Sequence, residues 1–309
     1  MLSGNDKVLV AGGSGMVGVA MKKQLPSASF PTSGEMNFFQ EHDLSEYRYV
    51  INLAGKVGGL EANTNFIADF CHENLKINKN LLSSAKKSGI KKLISLLSTC
   101  VYPSQNYVQY PLTEEQLHLG PPHYSNFGYA HAKRMVDVMS RAYRQQYGCN
   151  FITAIPNNLY GENDNYDEEN SHVVPALMRK VWEAKINNLP HVMCWGDGTA
   201  LREFTYSQDV VKILLFLMKE YDGDIPINIG NTEEYSIKEL VSILCKHLEY
   251  TGEIIWDTGR PSGQLRKPSS NKKLLDLGWK KDWYTPLDEG LQKTCKWFIN
   301  NYPNVRGVK

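Results

Sequence analysis

The sequence predicts an α/β protein: a doubly wound parallel sheet followed by a smaller C-terminal α/β domain. Three observations carry this. Short apolar runs alternate with long amphipathic segments through the first half. A glycine-rich turn joins the first run to the first helical segment. Beyond Gly161 the texture changes to an acidic, asparagine-rich stretch and a second set of mixed elements. Alternation of strand and helix argues a parallel sheet covered on both faces.

In order, residues 8–11 read as a buried strand. Residues 15–25 read as a helix, with Met16, Val17, Ala20, Met21 and Leu25 at helical spacing and Pro26 as its stop. Residues 26–46 hold Pro26, Pro31 and Gly34 and offer no convincing strand. Strands are expected at 49–54, 93–97 and 151–155, and long helices at 66–87 and 128–147, closed by Gly89 and Gly148. After a loop at 162–170, helices are expected at 173–185, 236–248 and 287–302, and strands at 226–229 and 253–256. Residues 204–217 begin as a strand and turn helical. Ser236 with Glu239 three residues on forms a capping box. No linker separates the halves. Residues 1–165 are expected to form a dinucleotide-binding domain of the Rossmann type, with 204–230 returning to it, and 166–309 a mainly substrate-binding domain.

Composition bounds the function. The chain of 309 residues has room for one large α/β unit and a satellite. Its 34 basic and 33 acidic residues leave a net charge of +1, which gives no electrostatic case for nucleic acid or an anionic membrane. The longest apolar stretch, 213–218, is far short of the ~20 residues a membrane span needs. Residues 1–7 are polar and lack the apolar core of a signal peptide. The six cysteines form no CxxC pair, so no metal site is expected and the thiols are expected to be reduced, in a cytoplasmic setting.

Two constellations carry chemistry. The run Gly12, Gly13, Ser14, Gly15, Met16, Val17, Gly18 sits between the first strand and the first helix, where backbone amides can cradle a pyrophosphate. An acid closing the second strand would favour NAD. The nearby acids Glu35, Glu41 and Asp43 follow no recognisable strand, which favours NADP, and Thr32 and Ser33 are candidates for its 2′-phosphate. The second constellation is Ser98, at the carboxyl end of a strand, with Tyr129 and Lys133 at i and i+4 on one helix face. A phenol with a reference pKa of about 10 needs a neighbouring cation to exchange protons near neutrality. YxxxK alone is common by chance. It is the order of glycine loop, strand-end serine and YxxxK that is specific.

That order resembles the extended short-chain dehydrogenase/reductase family, whose members mostly act on nucleotide sugars. Further stretches narrow the resemblance to one branch over nearly the whole chain: Leu53-Ala54-Gly55-Lys56-Val57-Gly58-Gly59, Leu97-Ser98-Thr99-Cys100-Val101-Tyr102-Pro103, Asn158-Leu159-Tyr160-Gly161 and Ser171-His172-Val173-Val174-Pro175. That branch turns GDP-4-keto-6-deoxy-D-mannose into GDP-L-fucose. The resemblance implies epimerisation at ring carbons 3 and 5, then reduction of the 4-keto group with NADPH. Protons beside a ketone are acidic, and inversion needs a base on one face and an acid on the other. Cys100, with a thiol reference pKa of about 8.5, suits the base, and His172 the acid. Either residue taken alone would be weak evidence.

By the same resemblance, Leu53, Ala54, Leu96, Leu97, Pro156, Asn157, Asn158 and Leu159 line the NADP(H) site, with Asp43 and Leu44 toward the adenine. Lys180, Trp195, Arg202 and Lys267 meet the GDP-sugar, with Arg260 and Arg266 as neighbours. A homodimer through helices 66–87 and 128–147 is implied. The chain departs from the pattern in its short 26–46 stretch, in Asn157 where threonine is usual, and in Ser262 before Gly263 where aspartate is frequent. Two other readings stay open. One is a 4,6-dehydratase or 4-epimerase acting on another nucleotide sugar, although dehydratases usually carry an acid where this chain has Thr99. The other is a non-catalytic NADP-binding protein, although such proteins tend to lose the Tyr or Lys.

Overall fold

The computed structural model describes residues 6–168, 170–259 and 264–308; Arg260, Ser262 and Gly263 lie outside them. The elements run β1 (Val8–Ala11), α1 (Met16–Gln24), β2 (Tyr49–Asn52), α2 (Leu60–Asn65), α3 (Ile67–Lys87), β3 (Lys92–Leu96), α4 (Phe127–Tyr147), β4 (Phe151–Ile155) and β5 (Asn158–Tyr160). They continue as α5 (Val173–Ile186), β6 (His191–Trp195), β7 (Leu201–Tyr206), α6 (Ser207–Glu220), β8 (Ile227–Asn228), β9 (Glu234–Ser236), α7 (Ile237–Leu248), β10 (Glu253–Asp257), α8 (Lys272–Asp276) and α9 (Leu287–Asn301).

Strands buried on both faces make a parallel sheet in the order β1-β2-β3-β4-β8. Alternate residues feed two cores. Val8, Val10, Ile51, Ile94 and Ile152 pack with Val17, Met21, Ile213 and Leu217 of α1 and α6. Leu9, Val50 and Leu93 pack with Leu81, Leu82 and Val136 of α3 and α4. This is the Rossmann-type architecture, with helices on both faces.

The stretch 26–46 forms no strand, as its prolines imply. It is reduced to one parallel bridge, Ser29 beside Leu9, with Ser29 N–H on Val8 O at 2.8 Å and Val10 N–H on Ser29 O at 2.9 Å. The chain therefore leaves β1 toward one side and re-enters as β2 on the other. The switch opens a crevice beyond the carboxyl ends of β1 and β2, where such sheets bind ligands.

A smaller α/β region follows. Here β5, β7 and β9 form one sheet and β6 and β10 another, around Met178, Val181, Leu240, Leu244 and Phe298. The capping box of α7 is present: Glu239 N–H reaches Ser236 Oγ at 3.1 Å, and Ser236 N–H reaches the Glu239 carboxylate at 2.7 Å. After β7 the chain returns to the first domain: α6 packs beside α1 and β8 extends the first sheet. The sequence reading missed α2, β5, β6, β9 and α8. The six residues of α2, LEANTN, carry no apolar period, and β9 is three residues held in place by β7.

Asp164, in the loop before α5, is buried. Asn165 N–H donates to one oxygen at 2.7 Å, and the other has no hydrogen-bond partner among the described residues. Burial pushes its carboxyl up to about 7, above the unfolded value of about 3.9. The folded state therefore holds the proton more tightly than the unfolded state. Stability is lost as pH rises from the unfolded value through the folded one. Asp164→Asn should gain stability over wild type between pH 4 and 7.5, reaching on the order of 3 kcal/mol. Urea midpoints at both pH values check this; a pH-independent difference would contradict it.

Candidate active site

The glycine loop caps the crevice. Gly12 takes φ +83°, and a Cβ there would lie 2.7 Å from the carbonyl carbon of Leu53, so only glycine lets β1 turn against the end of β2. A Cβ on Gly18 would meet Gly12 O at 2.4 Å, which seats α1 on the loop. At Gly15 a Cβ would find only Gly12 O, at 3.5 Å. That residue is the N-cap of α1 and brings no side-chain cap, so the helix presents backbone amides to the crevice. A pyrophosphate fits this cradle on steric and dipolar grounds.

Ser98 follows β3. Its Oγ accepts Cys100 N–H at 3.3 Å and caps a 3₁₀ turn, Thr99–Val101. Two cations hold that turn. Arg134 donates to Val101 O at 2.5 Å and to Gly120 O at 2.7 Å, and Lys267 donates to Thr99 O at 2.8 Å. Cys100 is half-buried and packs with Ala62 of α2, Phe70 of α3 and Tyr129 of α4. Phe70 meets the Tyr129 ring edge-on, with centroids 6.2 Å apart. Lys133, one turn after Tyr129, donates to Leu96 O at 3.0 Å, and its Nζ lies 6.0 Å from the Tyr129 ring centroid. Desolvation pulls the Lys133 ammonium down to about 8. Burial, with a contribution from the neighbouring Cys100, raises Tyr129 well above the ordinary phenol range. At Tyr129 burial dominates and keeps the phenol protonated.

His172 is the N-cap of α5. The residues before it lean on the turn before α2, with Gly59 N–H on Asn170 O at 3.1 Å. A Cβ on Gly59 would lie 2.6 Å from Ser171 O. The same short helix that carries Ala62 to Cys100 thus braces the segment bearing His172. The residue is exposed, yet desolvation by its neighbours lowers its pKa.

Such a centre, at the edge of a doubly wound sheet, meets its relatives in sequence. The model of the NAD dependent epimerase/dehydratase family matches residues 35–230. The chain belongs to that family. It is 37% identical over 314 residues to "GDP-L-fucose synthase" of Dictyostelium discoideum, covering 97% of each chain. It is 40% identical over 307 residues to "Probable GDP-L-fucose synthase 1" of Oryza sativa, covering 96% of this chain and 92% of the relative. Among solved structures, a "gdp-l-fucose synthetase from Naegleria fowleri bound to NADP" superposes with a TM-score of 0.91 at 36% identity, covering 99% and 96% of the two chains.

Within this epimerase/dehydratase chain, the structure brings many of the residues the sequence singled out into local groups. Leu53 and Ala54 abut Gly12, Leu96 holds Lys133, and Pro156 O accepts Thr99 N–H at 3.1 Å. The buried Leu97 side chain belongs to the sheet core. Asn158 is exposed beside it, and Leu159 packs on the core. Lys180 lies 5.6 Å from the Trp195 ring, and Arg202 lies close enough to Lys267 to help depress it, after desolvation. Arg266 does not join them: Glu234 grips its guanidinium through Nε at 2.8 and 2.9 Å.

Asp43 and Leu44 are not brought to the crevice. Phe38 O, His42 N and Leu44 N bond Asn80, Ser84 and Ser88 in turn, so the segment runs down α3 toward the start of β3. Leu44 is buried there, and Asp43 accepts Ser45 N–H at 2.9 Å. Both sit at the opposite edge of the sheet from the glycine loop.

The sequence reading missed Arg134 and Glu203. Arg134 is a cation on the buried side of an otherwise amphipathic helix, a signal in itself. Glu203 is buried in β7, accepts Ser269 N–H at 2.8 Å, Ser269 Oγ at 2.6 Å and Asn157 Nδ2 at 3.2 Å, and is pushed up to about 7 by burial. It ties Asn157 to the strap that carries Lys267. No local pattern announces those partners.

A direct test of this site is the titration of Lys133. In ¹³C-lysine NMR its ε-carbon should titrate near pH 8. A value near the reference of about 10.4 would show that the ammonium is solvated and the site open.

Proposed function

We propose that the chain converts GDP-4-keto-6-deoxy-D-mannose to GDP-L-fucose by epimerisation at carbons 3 and 5 followed by NADPH-dependent reduction of the 4-keto group. The observation that carries this reading is the Cys100 thiol packed against Tyr129. A plain reductase needs no thiol beside its acid, whereas an epimerase/reductase uses one.

The cofactor is NADP(H), which supplies the hydride when bound. Gly12, Gly13, Ser14, Gly15, Met16, Val17 and Gly18 would hold its pyrophosphate, and Pro156, Asn157, Asn158 and Leu159 its nicotinamide side. Asn157 offers its backbone there, because its side chain is engaged by Glu203, Thr205 and Asn231. The sugar ring would sit over the turn 98–100. Cys100 takes the proton from the carbon beside the ketone, and His172 returns one from the opposite face. Ser98 and Tyr129 hold the enolate oxygen, and Tyr129, kept protonated by burial, then protonates the alkoxide of the reduction. Arg202, Lys267 and Lys180 with Trp195 would meet the GDP, their cations suiting a diphosphate.

Residues 1–165 with 204–230 form the dinucleotide-binding domain in this reading, and the remainder of 166–309 binds substrate. No helix among the described residues is long and apolar enough to cross a membrane. All six cysteines are unpaired, in keeping with a reducing, cytoplasmic setting. Met135 and Val138, exposed on α4, suit a homodimer packed through α3 and α4.

Two variants test the reading with GDP-4-keto-6-deoxymannose and NADPH. Tyr129→Phe should lower NADPH oxidation by roughly 10²–10⁴-fold while solvent deuterium still enters the sugar; undiminished oxidation would overturn the acid assignment. Cys100→Ser should suppress deuterium entry at carbons 3 and 5 by at least about 10²-fold. Unchanged entry would remove the thiol from the mechanism.

A further inference from the structure

From Leu25 to Tyr47 the chain carries no lysine or arginine, while it carries Glu35, Glu41, Asp43 and Glu46. Its first part, around Ser29 and Phe30, lies beside β1 and the glycine loop. Ser29 takes the place of a second strand beside β1, and Phe30 lies over the glycine loop: a Cβ on Gly13 would be 2.9 Å from Phe30 Cβ. In dinucleotide folds the ribose 2′ position lies at the end of that strand. An acid about 20 residues past the glycine fingerprint accepts a 2′-hydroxyl, and a nearby arginine accommodates a 2′-phosphate.

The turn just past Ser29 and Phe30 is closed by Glu35. Thr32 donates its N–H at 2.8 Å and its hydroxyl at 2.9 Å to one carboxylate oxygen of Glu35. Glu35 N–H returns to Thr32 O at 3.1 Å, closing the turn. Those two donations hold the exposed Glu35 carboxyl below its usual range. Thr32, one of the two donors that the sequence suggests for a 2′-phosphate, is thus already occupied by an anion. The other Glu35 oxygen, Oε1, has no hydrogen bond among the described residues and is left to accept. The cation packed on this segment at the crevice is Lys22, whose ammonium rests 6.0 Å from the Phe30 ring centroid. Those farther along serve other groups: Lys76 lies over Phe39, and Lys79 and Lys87 pair with Glu41.

Building on the dinucleotide reading above, we infer that Glu35, held by Thr32, is the residue that sets cofactor discrimination, and that it makes this chain accept NADH alongside NADPH. A 2′-hydroxyl donates to the free carboxylate oxygen. A 2′-phosphate meets like charge on its own donors, and binds by displacing Glu35 toward solvent and drawing in Lys22.

Calorimetric titration of the full chain with NADH and NADPH tests this without turnover. Wild type should bind the two with dissociation constants within about tenfold of each other. Glu35→Gln, which removes the charge and keeps the acceptor, should shift the ratio toward NADPH by about fivefold or more, and Glu35→Arg further still. Because Glu35 is exposed, neither change disturbs a core. NADPH bound more than about a hundredfold tighter by wild type, or a ratio unmoved in both variants, would overturn the inference and leave the dinucleotide reading standing. Failure of wild type to bind either nucleotide would overturn both.

Discussion

One nearly water-free ammonium ties the catalytic helix to the sheet. Lys133 is 4% exposed and donates to the carbonyl of Leu96, the last residue of β3. Its cost is desolvation, visible in a pKa pulled down to about 8. What it fixes is the height of α4 against β3. That sets Tyr129, one turn earlier, beside the strand end, and Ser98 and Cys100, just beyond Leu96, beneath it. The whole site is a consequence of two elements held at one level, with Arg134, the next residue, clamping the far side of the Cys100 turn.

That arrangement also explains why one pocket can serve two chemistries. Burial keeps Tyr129 protonated, as a reductive acid must be. The residue beside it is a thiol, which reaches its reactive form nearer neutrality than a phenol does. In the proposed mechanism acid and base are distinct residues, and the two steps need not compete for one of them. His172 enters from a different part of the chain, next to the segment braced through Gly59, so the proposed mechanism gives the opposite face of a bound ring to an independently positioned group.

The sequence makes the parts with local causes legible. Gly12 and Gly18 are demanded by backbone approach around a single turn, and Tyr129 and Lys133 share a face because a helix repeats every 3.6 residues. The doubly wound sheet follows from buried strands alternating with amphipathic helices. The rest depends on tertiary neighbours. The resemblance puts Asp43 and Leu44 toward the adenine, yet Ser84 of α3 and Ser88 just past its end hold their segment at the wrong edge for a ligand. Glu203 reads as an ordinary strand acid until Asn157 and Ser269 close around it. Elements as short as α2 and β9 exist only because longer ones hold them.

The central claim is that proton exchange and hydride delivery occur on one substrate in one site. The most direct test is isotopic analysis of the product formed from GDP-4-keto-6-deoxymannose in D₂O with NADPH. The account predicts GDP-L-fucose carrying solvent deuterium at carbons 3 and 5 and the cofactor's hydrogen at carbon 4. A reduced product with solvent hydrogen at neither carbon 3 nor carbon 5 would contradict it.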